Sequence, residues 1–332
     1  MHSSGITEAV FSSSGDRIRA IQARAAVAGP SIASAGGRSW AGQVSVRVAE
    51  CLFTVLFPSD CRICGEPLIK VSRLPVCQQC LDAMLPLTGV LCAVCGERIF
   101  SSYAVSDPEG ESRCGVCRRI EPAFARAAAY GSYEGGLREL IHLLKYNGIR
   151  PAANVLGRML AETITELAPN FPSGSIAVVP VPLYRAKLER EFNHAELIAR
   201  TAVKLFPKPG RLQLCAGALK RKRETPSQTG LTRHQRRENV RGAFGVAQPE
   251  AVKGRAVLVV DDVYTTGATV SECARVLRRA GAARVWVATV ARTLKNSERH
   301  VEIQLPGDNI AGDNIAEDQP VQEIPLARAA GG

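Results

Sequence analysis

The chain lacks long hydrophobic runs. Its most extended largely apolar stretch covers only residues 51–58, whereas a membrane helix needs about 20 residues. Residues 1–37 contain no continuous apolar segment after a basic start, which argues against a secretory signal. We therefore expect no membrane insertion and a cytoplasmic location. The 332 residues are 46% hydrophobic and 22% charged, which excludes disorder throughout and predicts a globular protein.

The net charge of +11 is not spread evenly. Residues 180–255 hold 17 Lys and Arg against 6 Asp and Glu, so this region carries the whole excess. Such a concentration predicts an anionic partner, although a basic solvated surface is also common. Residues 219–241 contain no aromatic side chain, whereas single-strand binding surfaces usually join charge to stacking aromatics. The region is therefore predicted to contact phosphates, with a salt-sensitive and weakly sequence-specific affinity for nucleic acid.

Composition divides the chain into four parts. Residues 1–42 are rich in Ser, Ala, Gly and Arg and are predicted to be a disordered extension, and residues 296–332 a disordered acidic tail. Residues 51–120 contain most of the cysteines and are predicted to be a small metal-stabilised domain. Residues 123–295 alternate strand and helix patterns, which predicts an α/β domain with a mostly parallel sheet and ligands at the carboxyl ends of its strands.

Within the α/β part, apolar runs predict strands and apolar residues at helical spacing predict helices. The predicted strands cover residues 125–133, 176–181, 213–219, 256–260 and 284–290, and the predicted helices cover 137–146, 151–167, 195–205 and 269–280. Asn193 and His194 are cap candidates for the third helix. His142 is interpreted as a packed helix residue rather than a general base.

Eight of the eleven cysteines form four C-x-x-C pairs, and 12, 11 and 18 residues separate successive pairs. Two such pairs complete a tetrahedral four-thiolate site, so the sequence predicts two zinc ions. The ions are predicted to be structural, because thiolate-only sites leave no open position for water. The predicted ligands are Cys61, Cys64, Cys77, Cys80, Cys92, Cys95, Cys114 and Cys117.

Sequential pairing assigns the first four cysteines to one ion and the last four to the other, and a crossed arrangement is the alternative. Iron–sulfur binding is disfavoured because the spacing does not match ferredoxin runs. A redox role is disfavoured because no pair lies beside a thioredoxin-like strand. The remaining cysteines, Cys51, Cys215 and Cys273, are interpreted as core residues.

A second motif, VLVVDDVYTTGATV at residues 257–270, predicts a phosphate-binding loop. A loop of small residues at a helix N-terminus presents backbone N–H groups to an anion, and Thr265, Thr266 and Thr269 add hydroxyl donors. Gly267 permits a positive φ or a close backbone approach. Asp261 and Asp262 suit ribose hydroxyls or a Mg²⁺ shell. The motif is not a Walker loop, because its G-x-x-x-x-G-K-[ST] spacing is missing.

This motif resembles the phosphoribosyl pyrophosphate loop of type I phosphoribosyltransferases, and the wider chain resembles the ComF (competence protein F) family. The resemblance extends from LFPSDCRICG at residues 56–65 to about Arg292. Its other motifs are HLLKYNG (142–148), VVPVPL (178–183) and LKRKRETPSQTGLTRHQRRENVRGAF (219–244). It implies a phosphoribosyltransferase-like (Rossmann-like) sheet preceded by a double zinc ribbon.

The resemblance also implies roles for individual residues. Asp261 and Asp262 would hold the ribose hydroxyls as the catalytic pair, with Mg²⁺ as a cofactor. The substrate-binding residues would be Val263, Tyr264, Thr265, Thr266, Gly267, Ala268 and Thr269 in the loop, Pro180, Val181 and Pro182 near pyrophosphate, Arg190 and Asn193, and Lys220, Arg221, Arg223 and Gln228. The last four lie in residues 219–244, here called the basic segment, which would cover the site. Glu191 and His194 stand where the family usually has Gly and Gln, so no contact is carried over to them.

Two functions of different classes follow. In one, the protein binds phosphoribosyl pyrophosphate and Mg²⁺ and takes part in DNA uptake or single-stranded DNA handling, with DNA-uptake or helicase proteins as partners. In the other, it is an active phosphoribosyltransferase that displaces pyrophosphate. The intact loop favours the enzyme, whereas zinc ribbons that dock on a partner or on nucleic acid favour DNA handling. Spacing alone identifies no acceptor substrate.

Overall fold

The computed structural model describes residues 59–68, 72–99, 110–184, 192–225 and 232–294. These residues form two compact units. The first unit contains the described residues of 59–85 and 134–156, and the second those of 86–133 and 157–294. None of the described helices is both long enough and apolar enough to cross a bilayer.

The first unit combines one cysteine cluster with a helix. The short α1 (Gln78–Asp82) begins after Cys77, whose sulfur accepts a hydrogen bond from the Cys80 N–H at 3.5 Å. The longer α2 (Gly135–Lys145) buries Leu140, Ile141 and Leu144, as their spacing predicts.

The second unit is built on a five-stranded sheet in which every pair is parallel. Its strands are β1 (Arg126–Ser132), β2 (Ile176–Pro180), β3 (Leu212–Leu214), β6 (Ala256–Tyr264) and β7 (Arg284–Arg292), in the spatial order β1-β7-β6-β2-β3. The first five residues of β6 are all buried, because this central strand is covered on both faces. A mostly parallel sheet is thus confirmed.

The described residues also contain four further α-helices and a small antiparallel sheet. The helices are α3 (Ala152–Leu167), α4 (His194–Leu205), α5 (Arg233–Val240) and α6 (Ala268–Arg279). In the second unit, α4 packs on β2, β3 and β6, and α6 packs on β6 and β7. The antiparallel pair β4 (Leu219–Arg221) and β5 (Phe244–Val246) brings the two ends of the basic segment together.

Three local predictions were wrong. Residues 213–219 do not form one strand: residues 212–214 join the parallel sheet as β3, whereas 219–221 pair with β5. The polar residues after Val260 do not form a loop, because β6 continues to Tyr264 through its pairing with β7. The helix predicted at residues 269–280 begins and ends one residue earlier, as α6, with Gly267 as its N-cap.

The predictions about isolated polar residues fared better. Asn193 caps α4 by accepting a hydrogen bond from the Glu196 N–H at 3.3 Å, and His194 is the first helical residue. His142 packs edge-on against Tyr146, at 5.2 Å between ring centroids. Cys273 is fully buried, whereas Cys215 is only half-buried at the edge of the hydrophobic core. Cys51 lies outside the described residues.

Candidate functional site

The eight cysteines form two tetrads in sequential pairing. In each, the four sulfur atoms lie within 4.8 Å of one another; the members are Cys61, Cys64, Cys77 and Cys80 in the first tetrad, and Cys92, Cys95, Cys114 and Cys117 in the second. The Sγ–Sγ distance is 3.9 Å for Cys61–Cys80 and 3.7 Å for both Cys64–Cys77 and Cys95–Cys114. Four thiolates about 2.3 Å from one zinc ion would lie about 3.8 Å apart. Both clusters therefore fit structural zinc.

The same turn builds both tetrads. Gly65 N–H bonds to the Cys61 carbonyl at 2.9 Å, and Gly96 N–H bonds to the Cys92 carbonyl at 2.8 Å. Both glycines have a positive φ, of 78° and 69°. This geometry favours glycine, because a side chain there would strain the backbone.

Hydrogen bonds also prepare the sulfur atoms to act as thiolate ligands. Cys77 N–H donates to the Cys61 sulfur at 3.3 Å, and Cys114 N–H donates to the Cys92 sulfur at 3.3 Å. Burial opposes ionisation of Cys61, but backbone N–H donors lower its pKa to about 6. Hydrogen bonds from Cys117 and Cys95 lower the pKa of Cys92. The thiolate form is thus stabilised at one cysteine of each tetrad, whereas burial and hydrogen bonds with neighbouring thiols raise the pKa of Cys64, Cys80, Cys95 and Cys117.

The predicted phosphate loop connects the carboxyl end of β6 to α6. Only residues 265–267 separate the strand from the helix. Gly267 has φ +76° and starts the helix, and the Thr266 hydroxyl accepts a hydrogen bond from the Ala268 N–H at 3.4 Å. The positive end of the 12-residue α6 therefore lies at the loop, which suits an anion.

Tyr264 closes one side of this loop. A Cβ atom at Gly267 would lie 2.3 Å from the Tyr264 hydroxyl, so the loop needs glycine for space as well as for φ. Tyr264 itself is buried. Its side chain therefore packs under the loop and supports it. The sequence-based prediction placed Tyr264 among the substrate-binding residues and did not separate this supporting position from ligand contact.

The two acids lie just before the loop, on β6. Asp262 is buried and Asp261 is half-buried. The Asp261 carboxylate accepts a hydrogen bond from the Asp262 N–H at 3.0 Å. Since successive side chains of a strand point to opposite faces, the two carboxylates diverge. Mg²⁺ at phosphate sites takes one or two carboxylates together with substrate oxygens, so this donor set fits such an ion.

The short segment at residues 180–182 lies beside the end of β6, because β2 and β6 are neighbours. Pro180 pairs with Val260, and Val181 N–H bonds to the Val260 carbonyl at 2.9 Å. The Asn193 side chain donates to the Val181 carbonyl at 3.2 Å. Asn193 thus fastens this segment to the start of α4.

The basic segment reaches the acidic pair through Arg221. Burial lowers the pKa of this guanidinium, while the nearby Cys273 and Asp261 act in the opposite direction. Arg221 lies over the Phe244 ring, 5.5 Å from its centroid, and donates to the Thr225 hydroxyl. The structure therefore places one predicted arginine within electrostatic reach of Asp261.

The other predicted residues of the basic segment differ in their surroundings. Arg223 donates to the carbonyls of Asn239 and Arg241 at 2.9 and 3.0 Å, so it holds the carboxyl end of α5. Lys220 is exposed. Arg190 and Gln228 lie outside the described residues.

Sequence reasoning missed an ion pair between the second zinc turn and the sheet. Arg292, the last residue of β7, donates to Glu97 at 2.8 Å and to the Cys95 carbonyl. Both side chains are buried. The motif C-x-x-C-G-E that contains Glu97 also occurs at residues 61–66, so no local signal distinguishes the buried acid.

Comparison with known proteins agrees with this architecture. A double zinc ribbon domain matches residues 52–119, and a phosphoribosyl transferase domain matches residues 197–322. The chain is 32% identical to the DNA utilization protein YhgH of Escherichia coli (strain K12) over 244 residues, which cover 71% of this chain and 98% of that protein. It is 29% identical to competence protein F of Haemophilus influenzae and 27% identical to competence protein ComFC of Bacillus subtilis, over 60% and 63% of this chain and 84% and 80% of theirs.

Fold and site together define a phosphoribosyltransferase-fold protein with a double zinc ribbon before its α/β domain. Both cysteine tetrads fit the two structural zinc ions of such a ribbon. More particularly, the chain belongs to the ComF family, which contains the competence proteins F and ComFC and the DNA utilization protein YhgH.

Proposed function

We propose that this protein binds phosphoribosyl pyrophosphate with Mg²⁺ at residues 261–269 and acts in the handling of DNA. One observation carries the ligand assignment: a three-residue loop with a left-handed glycine precedes α6 at the end of the central strand, and two carboxylates lie near the end of that strand. Ligands of open parallel sheets bind at this edge, and phosphates bind at helix N-termini.

Each part of the site has a separate task in this proposal. The 5-phosphate binds the loop through backbone N–H groups and the hydroxyls of Thr265, Thr266 and Thr269. Asp261 and Asp262 hold the ribose hydroxyls and the ion, which neutralises pyrophosphate charge when bound. Residues 180–182 lie near pyrophosphate. The basic segment supplies positive charge through Lys220, Arg221 and Arg223, and closes over the ligand together with the remaining predicted contacts, Arg190 and Gln228.

A thermal-shift experiment tests the ligand. A ligand that binds only the native state must raise the melting temperature, by an amount that grows with its concentration. We expect phosphoribosyl pyrophosphate with Mg²⁺ to stabilise the wild type and to lose this effect in Asp261→Asn/Asp262→Asn. Glu250→Gln, an exposed acid of the same unit, is the matched control. Absence of a shift at millimolar ligand in the wild type contradicts the ligand assignment.

The DNA part of the proposal rests on the basic segment and on what the relatives are named for. Single-stranded DNA should bind with an affinity that falls steeply with salt, because each phosphate contact releases counterions. Lys220→Gln/Lys222→Gln should reduce the slope of log affinity against log salt by about 2. Lys208→Gln/Lys253→Gln, in exposed positions before β3 and β6, removes equal charge at the opposite end of the sheet and should not change it. Equal slopes in the two variants would show that DNA does not bind at the basic segment.

An active phosphoribosyltransferase is the second candidate, and the complete acid-and-threonine loop favours it. Its test is pyrophosphate release from phosphoribosyl pyrophosphate with a panel of nucleobases as acceptors. Release that depends on one base and disappears in Asp261→Asn/Asp262→Asn would establish transfer. Ligand binding without release for any acceptor would leave the DNA-handling assignment as the function.

A further inference from the structure

A continuous set of buried contacts runs from the second zinc tetrad to the phosphate loop. It begins at the turn after Cys95, whose carbonyl accepts a hydrogen bond from Arg292. The second nitrogen of the same guanidinium donates to Glu97 at 2.8 Å, and the Arg292 and Glu97 side chains are only 3% and 7% exposed. Arg292 thus uses both ends of its planar fork on one zinc turn.

The same guanidinium contacts the support of the loop. Its central carbon lies 4.7 Å from the centroid of the Tyr264 ring, which places the cation over the ring face. The Tyr264 hydroxyl occupies the space beside Gly267. Tyr264 and Arg292 are also paired across β6 and β7. Cys95 therefore contacts Arg292, Arg292 contacts Tyr264, and Tyr264 lies against Gly267 of the loop.

These contacts depend on the shape of the zinc turn. One zinc ion bound to the four sulfur atoms would hold them about 3.8 Å apart and would keep the turn in the shape that presents the Cys95 carbonyl and Glu97 together. If the turn opens, Arg292 remains as a buried charge without its partner, which is a costly state. The guanidinium must then shift, and the Tyr264 ring beneath the loop loses its packing partner.

We propose that Arg292 is a positioning residue that couples zinc occupancy of the second tetrad to anion binding at residues 265–269. Coupling of this kind is reciprocal: zinc strengthens ligand binding, and the ligand retains zinc. The effect of zinc on ligand binding rests on the proposed binding of phosphoribosyl pyrophosphate; we call it the ligand half of the proposal. The effect of zinc on the shape of the loop, the loop half, does not rest on it, because the contacts shape the loop before any ligand binds.

Hydrogen exchange tests the loop half without ligand. We expect Glu97→Gln and Arg292→Lys to raise exchange at the amides of residues 264–269 by at least about fivefold, the lower end of typical site-to-site coupling. Glu66→Gln is the matched control, because it changes the same position of the same motif in the first ribbon, where the acid is exposed. Unchanged exchange in the folded Glu97→Gln protein overturns the proposal, and Glu97→Gln remains informative if Arg292→Lys does not fold.

Zinc release tests the reciprocal half on the full chain. A zinc-selective chromophoric chelator should remove the two ions in two phases, which Cys64→Ser assigns by eliminating the phase of the first tetrad. Phosphoribosyl pyrophosphate with Mg²⁺ should slow the second-tetrad phase at least about fivefold and leave the first unchanged. In Arg292→Lys the ligand should no longer slow it. If the ligand raises the melting temperature but does not slow zinc release from the second tetrad, the coupling is overturned. If the ligand changes neither quantity, the proposed function is contradicted, and the hydrogen-exchange result alone decides the coupling.

Discussion

The two zinc turns have the same local sequence and the same local geometry, yet their acids have different environments. In each C-x-x-C-G-E motif the first cysteine N–H bonds to the glutamate carbonyl, at 2.8 Å for Cys61 and 2.7 Å for Cys92. Glu66 is exposed, whereas only 5% of Glu97 is accessible. Short-range sequence therefore determines the turn, and the strand packed against it determines what the acid does.

The sulfur atoms differ in the same way. Cys92, Cys95 and Cys114 belong to the hydrophobic cluster of the sheet, together with residues of β6 and β7. In the first tetrad Cys64 is exposed. The second zinc site is thus part of the core of an α/β domain, in addition to holding its own ribbon together.

Loss of one zinc ligand from each ribbon should produce the largest difference. Structural zinc contributes about 10 kcal/mol or more, which is comparable to the total stability of a domain. In a Trp40→Phe background the buried Trp286 of β7 reports on the second unit. We expect Cys95→Ala to abolish its cooperative unfolding transition and Cys64→Ala to retain it. If both variants lose the cooperative transition, the difference in burial between the two tetrads does not affect the stability of the second unit.

Removal of the two acids should produce the next largest difference. Glu97→Ala leaves Arg292 buried without its ion-pair partner, a change that costs about 3–5 kcal/mol. Glu66→Ala removes an exposed carboxylate and should change the free energy of unfolding by less than about 0.5 kcal/mol. Urea titrations of both variants measure the comparison. A cost below about 1 kcal/mol for Glu97→Ala would mean that the pair is not a net stabiliser.

The two turn glycines should differ least. Both have a positive φ, so an alanine at either position costs about 1–2 kcal/mol in backbone strain. A Cβ at Gly65 meets no atom within 4 Å, whereas a Cβ at Gly96 lies 3.1 Å from the Ala127 carbonyl and 3.6 Å from Arg292. Gly96→Ala should therefore cost more than Gly65→Ala. The difference in melting temperature between the two variants checks this, and equal shifts would assign the whole effect to φ.

Much of this architecture could be predicted because its causes are local. Four C-x-x-C pairs imply two thiolate sites, and an apolar strand before a small-residue loop implies a helix opening at a sheet edge. Residues 213–219 were misread because two short strands of different sheets follow one another without a strong turn pattern. The extension of β6 through Asp261 and Asp262 was missed because it comes from pairing with β7 rather than from an apolar run.

The Glu97–Arg292 pair could not be predicted for a related reason. Its members are 195 residues apart in the chain, and each has an ordinary local sequence. The apolar residues at 284–290 predict a buried strand, but they do not indicate that the strand continues to Arg292 or what this side chain contacts. Tyr264 likewise follows the acids as one more loop residue in the sequence, and only the space beside Gly267 reveals its supporting position.

The run KRKR at residues 220–223 has a consequence for how the chain tolerates substitution. Its two lysines are exposed, whereas Arg221 lies over an aromatic ring and Arg223 binds two carbonyls at once. An exposed lysine contributes mainly a positive charge, which an arginine would also supply. The contacts of Arg221 and Arg223 use the planar guanidinium group, which lysine lacks. Lysine and arginine should therefore replace each other freely at positions 220 and 222. Arginine should be retained at positions 221 and 223, so neutral substitutions in this run should occur at alternate residues.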